Sequence, residues 1–150
     1  MSSLFHILDK IYLQSIPLSA IEVIKYVNKI LFEEDRIIND YNQKDLIILA
    51  AYINEVVVGF KIGYGTEDGE YYSAKSGVLP QFRRRGVATK LLYRMILEAK
   101  KKGYKKLVFD TFPERFPGML DLGLKEGFKP DKAEWNSIYN DYKLRMKLDL

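Results

Sequence analysis

Val78-Leu79-Pro80-Gln81-Phe82-Arg83-Arg84-Arg85-Gly86-Val87-Ala88 couples a strand to a helix. Upstream, Tyr71 to Leu79 reads as an extended run that Pro80 stops, since proline brings no N–H to a ladder. Downstream, Ala88, Leu91, Leu92, Met95, Ile96 and Ala99 recur at helical spacing, with Lys90, Arg94, Glu98 and Lys101 toward the other side. Lys100, Lys101 and Lys102 fall in the last turn, where cations suit the negative end of the helix dipole, and Gly103 is a natural stop. The first N–H groups of such a helix lack intrahelical partners and sit at its positive end. That is an anion site. Gly86 and Ala88 keep bulk away from it, and three arginines add charge, so a phosphate or pyrophosphate ligand is expected. Arg-Arg-Arg-Gly taken alone fits a solvated basic loop equally well. A dinucleotide fingerprint needs three spaced glycines and only Gly86 is present, while the Gly-Lys-Ser/Thr of a phosphate-binding loop is missing.

Outward from this stretch, the pattern alternates strands with helices. Leu4 to Leu13 suits a first strand, ended by Pro17. Ser19 with Glu22 three residues later reads as a capping box opening a helix with Ala20, Ile24, Val27 and Leu31 on one face. Leu46–Ile53 and Val56–Tyr64 suit strands joined by an Asn54-Glu55 turn, and Gly63, Gly65, Asp68 and Gly69 mark the next turn. Gly77 falls late in the third strand of this region, where a glycine marks a bulge or a close backbone approach. Lys105–Thr111 is a further strand, Met119–Glu126 a short helix, and Trp135–Tyr139 with Tyr142–Leu148 a closing hairpin about Asn140-Asp141. In the last strand Tyr142, Leu144, Met146 and Leu148 alternate with Lys143, Arg145 and Lys147, so one face is buried. The order predicts a mixed α/β (α+β) domain with a largely antiparallel sheet.

The 150 residues, 47% hydrophobic and 29% charged, fit one domain spanning 1–150 with a real core. Cysteine is absent, which removes disulfides, thiolate nucleophiles and Cys-ligated metals. His6 is the single histidine, so no multi-histidine metal site can form and no metal is expected. The net charge of +4 mildly favours anionic ligands. No apolar run suits a membrane span and no signal-peptide pattern opens the chain, so a soluble, cytoplasmic protein is expected.

Val78-x-Pro80-x-x-Arg83-x-x-Gly86-x-Ala88 followed by Leu91-Leu92 resembles the acyl-CoA signature of the GNAT superfamily of N-acetyltransferases. Gly103-Tyr104 before a strand, Gly127-Phe128 after a short helix and the Leu144-x-Met146-x-Leu148 strand extend the resemblance over roughly 46–150. It implies a central sheet flanked by helices, with splayed strands forming an acyl-CoA cleft. It implies acetyl-CoA as acyl donor and a primary amine, on a small molecule or on a protein or peptide, as acceptor. Ser76 and Val78 would pair with the pantetheine arm through their backbone, the Val78 N–H would polarise the thioester carbonyl, and Gly77 would help splay the strand. Arg83 would belong to the signature, and the amides of Arg84, Arg85, Gly86, Val87, Ala88 and Thr89 would hold the pyrophosphate.

A protonated amine has no lone pair, so a base or a water chain must take a proton. Glu70 and Asp110 are the candidate carboxylates, and Glu22 is a candidate for binding a cationic acceptor. Two positions depart from the family's pattern. Gly123 stands where a thiol-protonating tyrosine is usual, with Tyr139 or Tyr142 as substitutes, and Glu114 stands near the place of a usual asparagine. Three functions follow: a catalytic N-acetyltransferase, an acyl-CoA-binding module without turnover, and a nucleic-acid-binding domain. The last is disfavoured because no basic face with interleaved aromatic residues is evident. Nothing distinguishes a monomer from a homodimer.

Overall fold

The computed structural model describes residues 10–150, apart from the Asp68 side chain. Asn54 and Glu55 have φ of 49° and 65°. Two such residues make the turn whose twist matches a hairpin, and here they join β2 (Ile47–Ile53) to β3 (Val56–Gly65). Around this hairpin run β1 (Ile11–Ile16) and α1 (Glu22–Phe32) before it, and β4 (Glu70–Val78), α2 (Val87–Lys101), β5 (Lys106–Thr111), α3 (Pro117–Lys125), β6 (Lys129–Asn136) and β7 (Asp141–Asp149) after it. One seven-stranded sheet results, in the order β1-β2-β3-β4-β5-β7-β6. Among the described residues only the β4–β5 pair is parallel, because α2 carries the chain between them.

Alternation along the central strands divides the core into two layers. Leu49, Tyr71, Leu107, Phe109 and Met146 share a layer with Leu91 and Met95 of α2, and α3 packs there through Met119, Leu120 and Leu122. Ile48, Ala50, Phe60 and Ile62 point the other way and meet Ile24 and Val27 of α1. Full burial of those two α1 side chains contributes about 1.5–3 kcal/mol each.

Some local expectations are corrected. Ser19 does not cap α1: it lies in a 3-10 turn over Leu18–Ala20, and α1 begins at Glu22 with Ile21 as a cap that makes no side-chain bond. The capping box fails because Pro17 and the 3-10 turn delay the helix. In α2 the buried side begins at Val87, and Ala88 is exposed. β1 runs on to Ile16, directly before Pro17. Leu4 to Asp9, with His6, lie outside the described residues. β6 starts at Lys129 and ends at Asn136, leaving Ser137–Asn140 as the hairpin loop. Among the described residues no helix is long and apolar enough to cross a membrane.

Candidate active site

β4 and β5 stay paired only as far as Ser73 and Phe109, yet β4 continues to Val78. On its other side β4 pairs with β3, and the register shifts so that Ile62 faces Lys75 while Gly63 faces Ser73. Ala74 is therefore the extra residue of a bulge, which bends β4 away from β5. The Leu79 N–H donates to the Val58 carbonyl at 2.8 Å. Hydrogen-bonded and non-bonded pairs alternate along an antiparallel ladder. Gly77 accordingly bonds to β3, while Ser76 and Val78 turn their backbone N–H and C=O into the space that β5 has left. The Val78 carbonyl accepts a 3.0 Å bond from Arg83 Nε, which leaves the Val78 N–H as the donor facing the gap.

Gly77 is not the bulge residue of β4. A Cβ there would stand 2.4 Å from Leu31 Cδ1 of α1. The Leu31 tip of α1 thus lies over Gly77, and the register break in β4 falls three positions earlier, at Ala74.

Past β4 the chain turns into α2 through Arg84 and Gly86, both left-handed with φ of 63° and 84°. No side chain caps α2 and no acidic residue occupies its first turn. The first helical bond runs from the Lys90 N–H to the Gly86 carbonyl at 3.0 Å, so the N–H groups of Val87, Ala88 and Thr89 have no intrahelical acceptor. A Cβ on Gly86 would meet nothing within 4 Å, so the approach to these amides is open. Arg85 donates to the Gln81 carbonyl at 3.3 Å and lies over the Phe82 ring, while Arg84 is exposed. Arg83 and Arg85 thus shape the turn, and Arg84 contributes charge to its surface. The gap and this helix start are consecutive in the chain and open at the same end of the sheet.

The candidate catalytic side chains separate sharply. Glu70 opens β4 at the far end, eight residues before Val78, about 26 Å away at a strand rise of about 3.3 Å. At that distance it does not reach a group held near Val78. Asp110 stands one residue past the end of the β4–β5 ladder, at the vertex of the gap. Arg145 donates to its two oxygens at 2.8 and 2.9 Å, Tyr72 donates at 3.2 Å, and Lys143 Nζ is 3.8 Å away. Burial pushes its carboxyl up, but the Arg145 bonds and charge outweigh that and hold it below its ordinary value. Burial likewise drives the Tyr72 hydroxyl well above the ordinary phenol range, with Asp110 adding to the rise. Tyr139 is on the β6–β7 loop, its ring 4.8 Å from Phe112 just beyond β5, with Arg115 over it. Glu22 is exposed and paired with Lys25 at 2.9 Å. Gly123 is buried, and a Cβ there would come within 2.7 Å of the Phe109 ring, so the site has no room for a larger residue without repacking. Glu114 is exposed in the loop after β5.

Sequence reasoning missed Lys61 of β3, which is 2% exposed. The signal was a lone lysine between Phe60 and Ile62 in an otherwise apolar strand. It also missed the Arg145 and Tyr72 partners of Asp110, which become neighbours only through strand register.

A family model described as the acetyltransferase (GNAT) family matches residues 10–121. Among curated protein sequences none matches the chain. Solved structures with the same fold include Naa50 from Arabidopsis thaliana in complex with the bisubstrate analogue CoA-Ac-MVNAL. It is 20% identical, covers 93% of this chain and 99% of its own, and gives a TM-score of 0.77. The ribosomal-protein-S18-alanine N-acetyltransferase from Escherichia coli is 16% identical over 93% of this chain and 94% of its own, with a TM-score of 0.75. A GNAT family acetyltransferase from Elizabethkingia anophelis with acetyl-CoA bound is 18% identical over 93% and 98%, with a TM-score of 0.71.

Proposed function

The chain belongs to the acetyltransferase (GNAT) family and is an acyltransferase, and from that premise we propose that it moves the acetyl group of acetyl-CoA to a primary amine. The observation that carries this reading is the open inner edge of β4 at Ser76 and Val78, continuous with the uncapped start of α2. Pantetheine has amides that suit an unpaired strand edge, and pyrophosphate suits free N–H groups at a positive helix end. In this reading the amides of Arg84 to Thr89 hold the pyrophosphate, and the Val78 N–H steadies the negative charge on the carbonyl oxygen during attack. The acceptor ammonium loses its proton to water on the Asp110 side of the gap, where Asp110 is itself held by Arg145 and Lys143.

The acceptor is an amine on a small molecule or on a peptide or protein. The Arabidopsis structure contains a peptide-bearing analogue and the Escherichia coli enzyme is named for a protein alanine, which makes peptide N-termini the first acceptors to assay. Thiol release should be followed with acetyl-CoA against a panel of small amines, peptide N-termini and lysine peptides. Amine-dependent CoA release at a rate well above hydrolysis supports the reading. Tight acetyl-CoA binding with no release on any amine would replace it with an acyl-CoA-binding role.

A further inference from the structure

Lys61 is almost wholly buried and makes no hydrogen bond or ion pair among the described residues. Buried ammonium groups are normally paired, because an unpaired one is costly. Phe60 and Ile62 belong to the layer under α1, so Lys61 points to the opposite face, under α2. The two glycines that flank it on that face locate it further. A Cβ on Gly59 would touch Val87 at 3.3 Å, and one on Gly63 would touch Met95 at 3.1 Å. Lys61 therefore lies beneath the α2 turns between those residues, with no side chain beside it on its own strand.

Its partner across the ladder is Ser76, the residue whose far edge opens onto the gap. Those two side chains stand on one face of adjacent strands. Across the gap, Thr111 follows Leu107 and Phe109 on the same face, and its buried Oγ1 also has no partner. An unpaired ammonium and an unpaired hydroxyl thus flank the splay on the α2 side, opposite the face that carries Asp110. From β3 to a chain seated in the gap is two strand spacings, about 9.6 Å, a span that takes one bridging water besides an extended lysine passing over the small Ser76.

We propose that Lys61 is a catalytic acid of this enzyme, passing its Nζ proton through one bridging water to the sulfur of CoA as the thioester breaks, with the Thr111 hydroxyl donating to the same sulfur or to the adjoining carbonyl. The inference rests on the acetyl-CoA reading of the gap. In the step, the amine lone pair forms the C–N bond and the C–S electron pair passes to sulfur. Lys61 supplies the proton that completes the thiol, and the proton lost by the acceptor nitrogen leaves on the Asp110 side. Lys61 is reprotonated by solvent when the products depart. Burial alone lowers its pKa to about 8, close to that of a thiol, so it is mostly protonated at neutral pH and readily gives the proton up. Of the other titratable groups on this face, Tyr71 donates to the Asp45 carbonyl and Tyr104 to its carboxylate, Glu98 of α2 acts on Tyr71 and is paired with Arg94 at 3.1 Å, and α2 also contributes the apolar Leu91 and Met95.

Lys61→Met keeps the volume and removes the charge. It should bind acetyl-CoA within threefold of wild type in calorimetry, lose at least tenfold in kcat with little change in KM for acetyl-CoA, and lack the fall in kcat expected of wild type as pH rises through about 8. Its melting temperature should rise, since replacing a buried charge by an apolar side chain is often stabilising. Thr111→Val should lower kcat more mildly and leave the alkaline limb in place. A folded Lys61→Met enzyme with wild-type kcat and pH profile overturns the role of Lys61 alone. A wild-type protein that binds no acetyl-CoA overturns the reading of the gap, and this inference with it.

Discussion

Gly86 carries two constraints at once. Its left-handed backbone disfavours any Cβ, and the open space outside it is the approach to the α2 amides. Gly86→Ala should cost about 1 kcal/mol of stability from backbone strain alone. Gly86→Glu should in addition weaken acetyl-CoA binding by at least tenfold, through crowding and like-charge repulsion of the phosphates. Calorimetry and thermal melts separate the two effects. Asp110 and Lys61 both have folded pKa values below their unfolded ones, so each adds stability as pH rises, in different windows. The Asp110 carboxyl is held below the ordinary value by Arg145, so its pairing stabilises the fold fully above the unfolded carboxyl pKa, about 4. That stability is lost as pH falls through the lower, folded value. Arg145→Met leaves Asp110 largely buried without its main partner and should cost roughly 2–3 kcal/mol, less than the cost of breaking a fully buried pair because Arg145 touches solvent. Acid unfolding of that variant should begin at higher pH than in wild type. Lys61 has a folded pKa below its unfolded one, so the cost of holding its charge is present below pH 8 and is relieved as pH rises from about 8 toward 10.5. Wild-type stability should gain from that term across the window, and Lys61→Met should not.

The helix start at Gly86 was legible in sequence because it rests on local chemistry: a proline stop, a glycine and a sustained 3.6-residue stripe. The Asn54-Glu55 hairpin was legible for the same reason. The site's other half was not. The bulge at Ala74 leaves no residue signature, and Gly77 drew attention to the wrong position because a glycine under a crossing helix looks the same in sequence as one at a bulge. Glu70 and Asp110 were equivalent as carboxylates near strand ends; only the parallel register of β4 with β5 shows that one lies at the vertex and the other at the far end. The Gly77 contact gives a test of α1 placement. Gly77→Val must displace Leu31, now 2.4 Å from the Cβ position, and should cost about 1–3 kcal/mol as overpacking does. Leu31→Ala in the same protein should recover part of that loss in chemical denaturation.

Across the whole molecule, one irregularity organises the rest. Six strand pairings make a continuous sheet, and the parallel one is cut short. The two layers pack against the sheet on either face of this cut. Polar groups are sorted between its faces: Asp110 with Arg145 and Tyr72 on one, Lys61 and Thr111 on the other. That arrangement suits a transfer in which a proton leaves the acceptor on one side and another reaches sulfur on the opposite side. Backbone amide NMR during titration with acetyl-CoA tests the placement most directly. The amide signals of Ser76, Val78 and Arg84 to Thr89 should shift furthest, with Thr111 next and the β6–β7 loop little affected. Saturable binding whose largest shifts fall elsewhere, or no shift at all at millimolar acetyl-CoA, would contradict it.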